Sequence, residues 1–140
     1  MAEFIMKHLL QQAGLADSFE VDSAATSSEE LGSPIYPQAR RELALHGITD
    51  ASHTARKLSP DDYQRYDFIV GMDSANLRNM RRLFGLDPEQ KLHLLLDFTD
   101  NPRDVADPWY TRDFSAAWND IHAGCEALLQ NLLSDGRHHD

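Results

Sequence analysis

The stretch VADPWYT, residues 105 to 111, sets one carboxyl group, Asp107, ahead of a proline and two large aromatic rings. Pro108 confines Asp107 to extended backbone conformations, and Trp109 and Tyr110 offer flat apolar surface beside it. A carboxyl group against such surface has its pKa raised and can serve as a general acid. Asp-Pro is equally an ordinary turn dipeptide, and aromatic residues commonly pin long loops, so spacing alone leaves both readings open. Cys125 is the only thiol, yet it falls on a helical apolar stripe with Ile121, Leu128 and Leu129. The EALLQ that follows it has no arginine or glycine to cradle an anion. It reads as a buried core thiol, because nothing nearby supplies the electropositive setting that makes a thiolate. His53 reads as a cap or a hydrogen-bond partner, and His138 and His139 lie in a tail too frayed for a defined metal site. One cysteine allows no internal disulfide, no CxxC or paired Cys/His spacing marks a metal, and no cofactor is expected.

The elements that must hold these side chains follow from periodicity. Phe4, Ile5, His8, Leu9 and Gln12 keep helical spacing from the first residue on, with Gly14 placed to end the helix and no capping residue ahead of it. Phe19 and Val21 alternate with Glu20 and Asp22, which predicts a short strand over 19–23 and then a loop of small residues. Pro37 opens a helix that Gly47 closes, and Ser59 caps another that Pro60 begins. The apolar run in YDFIVGMD predicts a strand covered on both faces, Asp73 or Ser74 caps a helix through about Phe84, and KLHLLLDF predicts a strand ending at Asp97. A loop rich in Asp and Pro leads to a last helix from Asp113 to about Leu133. This alternation predicts an α/β sandwich on a parallel sheet, one domain over residues 1–133 with a disordered tail over 134–140, and chemistry at the carboxyl ends of the strands.

A chain of 140 residues, 41% hydrophobic and 26% charged, suffices for one compact core. A formal charge of −10 argues against a nucleic-acid partner, and the groups Arg40/Arg41 and Arg78/Arg81/Arg82 read as solvated helix faces. No run approaches the roughly 18 apolar residues of a membrane helix, and the N-terminus has no signal-peptide pattern, so a cytoplasmic protein with no membrane partner is expected.

Four blocks, VDSAATS at 21–27, HTAR at 53–56, DFIVGMDSANLR at 67–78 and DPWY at 107–110, together resemble the low-molecular-weight protein tyrosine phosphatases, in the same order and with similar spacing. The resemblance covers residues 1 to about 133 and implies a flavodoxin-like fold and two-step hydrolysis of a phosphotyrosine protein or a small aryl phosphate. In that family a cysteine thiolate attacks phosphorus, an arginine and a ring of amides hold the phosphate oxygens, and the aspartate of the DP-aromatic motif protonates the leaving phenolate. Asp107 matches that aspartate. Trp109 and Tyr110 match positions lining the substrate cleft, and Glu29 stands where relatives often carry an aromatic residue of the cleft wall. Ser23 matches a serine that supports the phosphate-binding loop, and Asp73 and Asn76 match the start of a helix near the strand ends.

The family's nucleophile and arginine share a Cys-x5-Arg loop between the first strand and the first helix, usually followed by Ser-Pro. Residues 1–140 contain neither that strand nor that loop, and MAEFIMKHLL looks like the helix directly after it. Residues 1–140 alone are therefore expected to be inactive. A sheet in the order 2-1-3-4 without its central first strand would leave unpaired edges at 19–23 and 66–72, which predicts self-association. Two readings stay open: a phosphatase whose N-terminal segment these residues lack, or a noncatalytic binding or regulatory derivative. Arsenate reductases share the fold but need further cysteines, which a single Cys125 does not supply.

Overall fold

Two helices end on the glycines that the sequence marks, and both do so in the same way. A computed structural model describes residues 2–24, 37–49, 56–105 and 114–136. Helix α1 (Ala2–Gln12) closes with Gly14 at φ +74, where the Gly14 N–H donates to Gln11 O at 3.1 Å and the Leu15 N–H to Leu10 O at 2.8 Å. Helix α2 (Pro37–Leu45) repeats this with Gly47 at φ +87, bonding to Ala44 O at 3.1 Å, and Ile48 to Leu43 O at 2.9 Å. A left-handed residue lets the chain fold back and satisfy the last carbonyls, and Ile48 then packs in the same apolar cluster as Leu43.

Helix α1 buries Glu3, Phe4, Ile5, Met6 and Leu10, while Gln12 is exposed, so its inner face is turned from the expected Phe4–His8–Gln12 stripe toward Met6 and Leu10. A helix pressed on a long neighbour covers a wide arc, and α1 lies against the last helix, α5 (Phe114–Gly136). Helix α5 continues three residues past the expected end at Leu133.

The short helix α3 (Asp61–Arg65) starts at the Ser59-Pro60 signal with half of a capping box. The Asp62 carboxylate accepts the Ser59 N–H at 2.8 Å, and the Ser59 hydroxyl turns to that same carboxylate at 3.5 Å instead of capping a helical N–H. Strand β1 (Ile69–Gly71), helix α4 (Ser74–Phe84) and strand β2 (Leu92–Leu94) form a parallel crossover unit with Ile69, Val70 and Gly71 opposite Leu92, His93 and Leu94. On one side Ile69 packs with Tyr63 and Met80, and on the other Phe68, Val70 and Met72 border the larger cluster of α1, α2 and α5. The sheet thus lies between two helical layers, an α/β architecture as the pattern predicts.

Two strand expectations are corrected. The strand in KLHLLLDF stops at Leu94, and Leu95–Phe98 coil into a 3-10 turn. Strand β1 ends opposite Leu94, so no ladder partner extends further, and the turn sends the consecutive Leu95 and Leu96 into one cluster. A Cβ at Gly124 of α5 would meet Leu95 Cγ at 2.4 Å, which shows how closely that helix sits on the turn. Residues 19–23 keep the expected alternation, with Phe19 and Val21 against the larger cluster and Glu20 and Asp22 exposed, but form no ladder among the described residues. Alternation records which side is buried, and a strand also needs a hydrogen-bonded neighbour.

Candidate active site

At the carboxyl end of β1 the chain turns sharply into α4. Asp73 caps the helix by accepting the Asn76 N–H at 2.8 Å, and the Asn76 side-chain oxygen reaches back to the Met72 N–H at 3.0 Å. A Cβ at Gly71 would approach Asn76 Cβ to 3.0 Å, so the strand's last residue must be small for this turn to close. The segment leading to Asp107 is fastened here. The Val105 N–H donates to Met72 O at 2.9 Å, and Asp104 Oδ1 accepts the Ser74 N–H at 3.1 Å and the Ser74 hydroxyl at 3.0 Å. Arg103 forks onto Asp120 of α5 at 2.8 and 2.6 Å and also donates to Asp104 O at 3.0 Å.

A second polar cluster surrounds the first turn of α1. Glu3 is 7% exposed. Its Oε1 accepts the Ser23 hydroxyl at 2.6 Å, and its Oε2 accepts Lys7 Nζ at 2.6 Å. Ser23 is held in place by its neighbour: Arg56 Nε donates to Asp22 at 3.0 Å, while its two Nη atoms donate to Asp62 at 3.1 and 3.2 Å. The bond to Asp62 is the largest influence on Arg56 and raises its pKa against the opposing effect of burial. Burial pushes the Asp62 carboxyl up, but bonds from Arg56 and Ser59 together outweigh it and hold it below its ordinary range. One guanidinium thus ties the 19–24 segment to α3 and sets the Ser23 hydroxyl at the positive end of α1's dipole.

The family model for low molecular weight phosphotyrosine protein phosphatase matches residues 1–138. The chain belongs to this family. It is 31% identical to the low molecular weight protein-tyrosine-phosphatase YfkJ of Bacillus subtilis, over 96% of this chain and 88% of that protein. It is 32% identical to low molecular weight phosphotyrosine protein phosphatase 1 of Drosophila melanogaster, over 95% of this chain and 88% of the relative. The YfkJ crystal structure superposes with a TM-score of 0.89, covering 96% of this chain and 86% of that one. The crystal structure of DARP, described as a Drosophila arginine phosphatase, matches at 0.76 with 33% identity, covering 93% of this chain and 87% of that one.

Of the phosphatase residues expected from the sequence, Ser23 lies against the first turn of α1, and Asp73 and Asn76 form the β1–α4 turn. Asp107, Trp109, Tyr110, Glu29 and His53 lie outside the described residues. Cys125 is 2% exposed, with Sγ 3.9 Å from the Ala2 carbonyl oxygen, and burial pushes its thiol up to about 12. It is the core thiol that the sequence indicates. No group of described residues could hold a metal ion, and no described helix is long and apolar enough to cross a membrane. Sequence reasoning missed Glu3, Asp22, Asp62, Arg103 and Asp104. The one available signal was Arg56, which closes the HTAR block and whose partners only the fold reveals.

Proposed function

We propose that this chain carries the acid and substrate-cleft half of a phosphotyrosine hydrolase whose nucleophile and phosphate clamp come from outside residues 1–140, in the family arrangement from a Cys-x5-Arg loop leading into α1. The observation that supports it is the Ser23–Glu3 bond of 2.6 Å at the first turn of an 11-residue helix, where the helix dipole favours an anion. Ser23 supports the phosphate loop, Asp107 is the general acid and base, and Trp109, Tyr110 and Glu29 wall the cleft. The thiolate attacks phosphorus as the aryl oxygen departs with the Asp107 proton. The Asp107 carboxylate then takes a proton from the water that attacks the cysteinyl phosphate, returning thiolate, phosphate and protonated Asp107. The proposed fold is flavodoxin-like, with the missing segment supplying a strand between residues 19–23 and β1. By themselves residues 1–140 are noncatalytic, because the only thiol they contain is buried and protonated at neutral pH.

The test is hydrolysis of p-nitrophenyl phosphate, a phosphotyrosine peptide and phosphoarginine by residues 1–140 and by the chain extended with its Cys-x5-Arg segment. The extended chain is expected to turn over the aryl phosphates in a vanadate-sensitive way, and Asp107→Asn to lose about 10²- to 10⁴-fold on the phosphotyrosine peptide. Residues 1–140 are expected to show no such turnover. Vanadate-sensitive hydrolysis by residues 1–140 alone at a comparable rate would overturn the division of labour, and preference for phosphoarginine would overturn the substrate class.

A further inference from the structure

We propose that Arg78, Arg81 and Arg82 on α4 dock an acidic segment of the phosphotyrosine protein on which the phosphatase acts, so that substrates are selected by the charge flanking their phosphotyrosine. The identity of the partner rests on the phosphatase reading above. The three arginines are exposed, as the sequence predicts, and with Ser74 and Leu77 they line one open hollow along the helix. The hollow starts at Ser74, the first residue of α4 after the turn at the carboxyl end of β1, where doubly wound sheets bind their ligands. The Ser74 N–H and hydroxyl are already taken by Asp104, so the arginines are what the hollow offers an anion, and the Asp104 carboxylate turns negative charge away from the Ser74 end. An open hollow along a helix suits a chain laid across it better than an enclosed small molecule.

An ordinary structural role accounts for only part of this pattern. Arg81 and Arg82 lie in the last turn of α4, where positive charge complements the helix dipole, but that effect fades within the turn and does not reach Arg78. Arg78 stands three and four residues before the other two, the spacing at which like charges are neighbours and oppose the helix. No carboxylate among the described residues relieves that repulsion, although the sequence holds 23 acidic residues and Arg56, Arg65 and Arg103 each bind one. A formal charge of −10 repels an acidic peptide from most of the surface, which leaves a cluster of three guanidinium groups to set where such a peptide lands. From Ser74 to Arg82 the helix rises about 12 Å at about 1.5 Å per residue, which matches about four residues of extended chain at roughly 3.3 Å each. Guanidinium groups fork onto carboxylates, so the face fits acidic side chains and not only a diffuse negative field.

The test measures kcat/KM of the chain extended with its Cys-x5-Arg segment on three substrates: a phosphotyrosine peptide with a short run of glutamates beside the phosphotyrosine, its glutamine counterpart, and p-nitrophenyl phosphate. The glutamate peptide is expected to be favoured over the glutamine peptide by about 10-fold at low salt, through KM, and the advantage to shrink at about 0.5 M salt. The triple variant Arg78→Gln/Arg81→Gln/Arg82→Gln is expected to abolish the advantage while the other two substrates stay within about twofold. Arg78→Gln, which spares the last turn of α4, is expected to remove about two- to threefold, and Arg78→Lys to keep most of it. No advantage in the native protein, or one that survives the triple substitution, overturns the proposal. Arginine-dependent binding to phosphatidylserine vesicles, or an arginine-dependent dimer, in place of that advantage also overturns it. If the extended chain turns over no phosphotyrosine substrate, the functional reading fails and the identity of the partner falls with it. Fluorescence anisotropy of a labelled, unphosphorylated glutamate peptide then decides the face itself: binding lost in the triple variant upholds an acidic partner, and equal binding removes it.

Discussion

Asp62 accepts from both Nη atoms of Arg56 and from the Ser59 N–H, and its titration has a definite sign. Burial opposes ionisation, but Arg56 and Ser59 together bring the folded pKa below the ordinary 3.8. A carboxyl group with a depressed folded pKa contributes stability that is fully present above its unfolded pKa and is lost as pH falls through the folded value. Asp87, whose oxygens accept Tyr63 Oη–H, Lys91 N–H and Leu92 N–H, is likewise net lowered from 3.8 although burial opposes it. His93 lies between Phe68 and Phe98, and burial lowers it from 6.5 against the pull of Asp87 and Asp97. Its depressed folded pKa has the same consequence, stability above the unfolded value that is lost on acidification. Unfolding free energy from urea titration is therefore expected to decline in two stages, first as pH drops through 6.5 and again below 3.8. His93→Gln should flatten the first stage and Asp62→Asn part of the second. A profile that stays level through the first interval would contradict the burial of a neutral imidazole.

Helix ends were readable because a single residue type determines them. Gly14 and Gly47 stand at φ +74 and +87, and both positions follow from glycine placed after a periodic run. A Cβ at Gly47 would meet no atom within 4 Å, so a substitution there is penalised only by backbone conformation. Gly47→Ala is expected to lower unfolding free energy by about 1 kcal/mol with little change in denaturant slope. An unchanged midpoint would mean that the α2 end is not closed this way in solution. Strand ends were less readable, because their limits belong to a neighbour. Leu95 and Leu96 have the composition of a continuing strand, yet they turn where β1 stops. Phe19 and Val21 announce their buried side correctly, and nothing in their own sequence says whether a partner strand stands beside them.

Taken together, the molecule divides into what local order encodes and what distance conceals. The α/β layering, the β1–α4 turn with its Asp73 cap and the burial of Cys125 were all visible in short-range pattern. The contacts that build the candidate site were not, since Ser23 and Glu3 lie 20 residues apart and Arg56 and Asp22 lie 34 apart. The role proposed for Asp107 rests on resemblance to the phosphatase family, not on spacing. Cys125 has one more consequence. Its sulfur lies 3.9 Å from the Ala2 carbonyl oxygen, so a lifting of α1 from α5 uncovers it to a thiol reagent. Its labelling rate then equals the intrinsic thiol rate multiplied by the equilibrium for that opening. Modification by a disulfide reagent in native buffer is expected to run at least about 10³-fold slower than in denaturant. Equal rates would show that α1 is undocked. The thiol unfit to be the nucleophile thus becomes a clock on the very helix into which the nucleophile loop would lead.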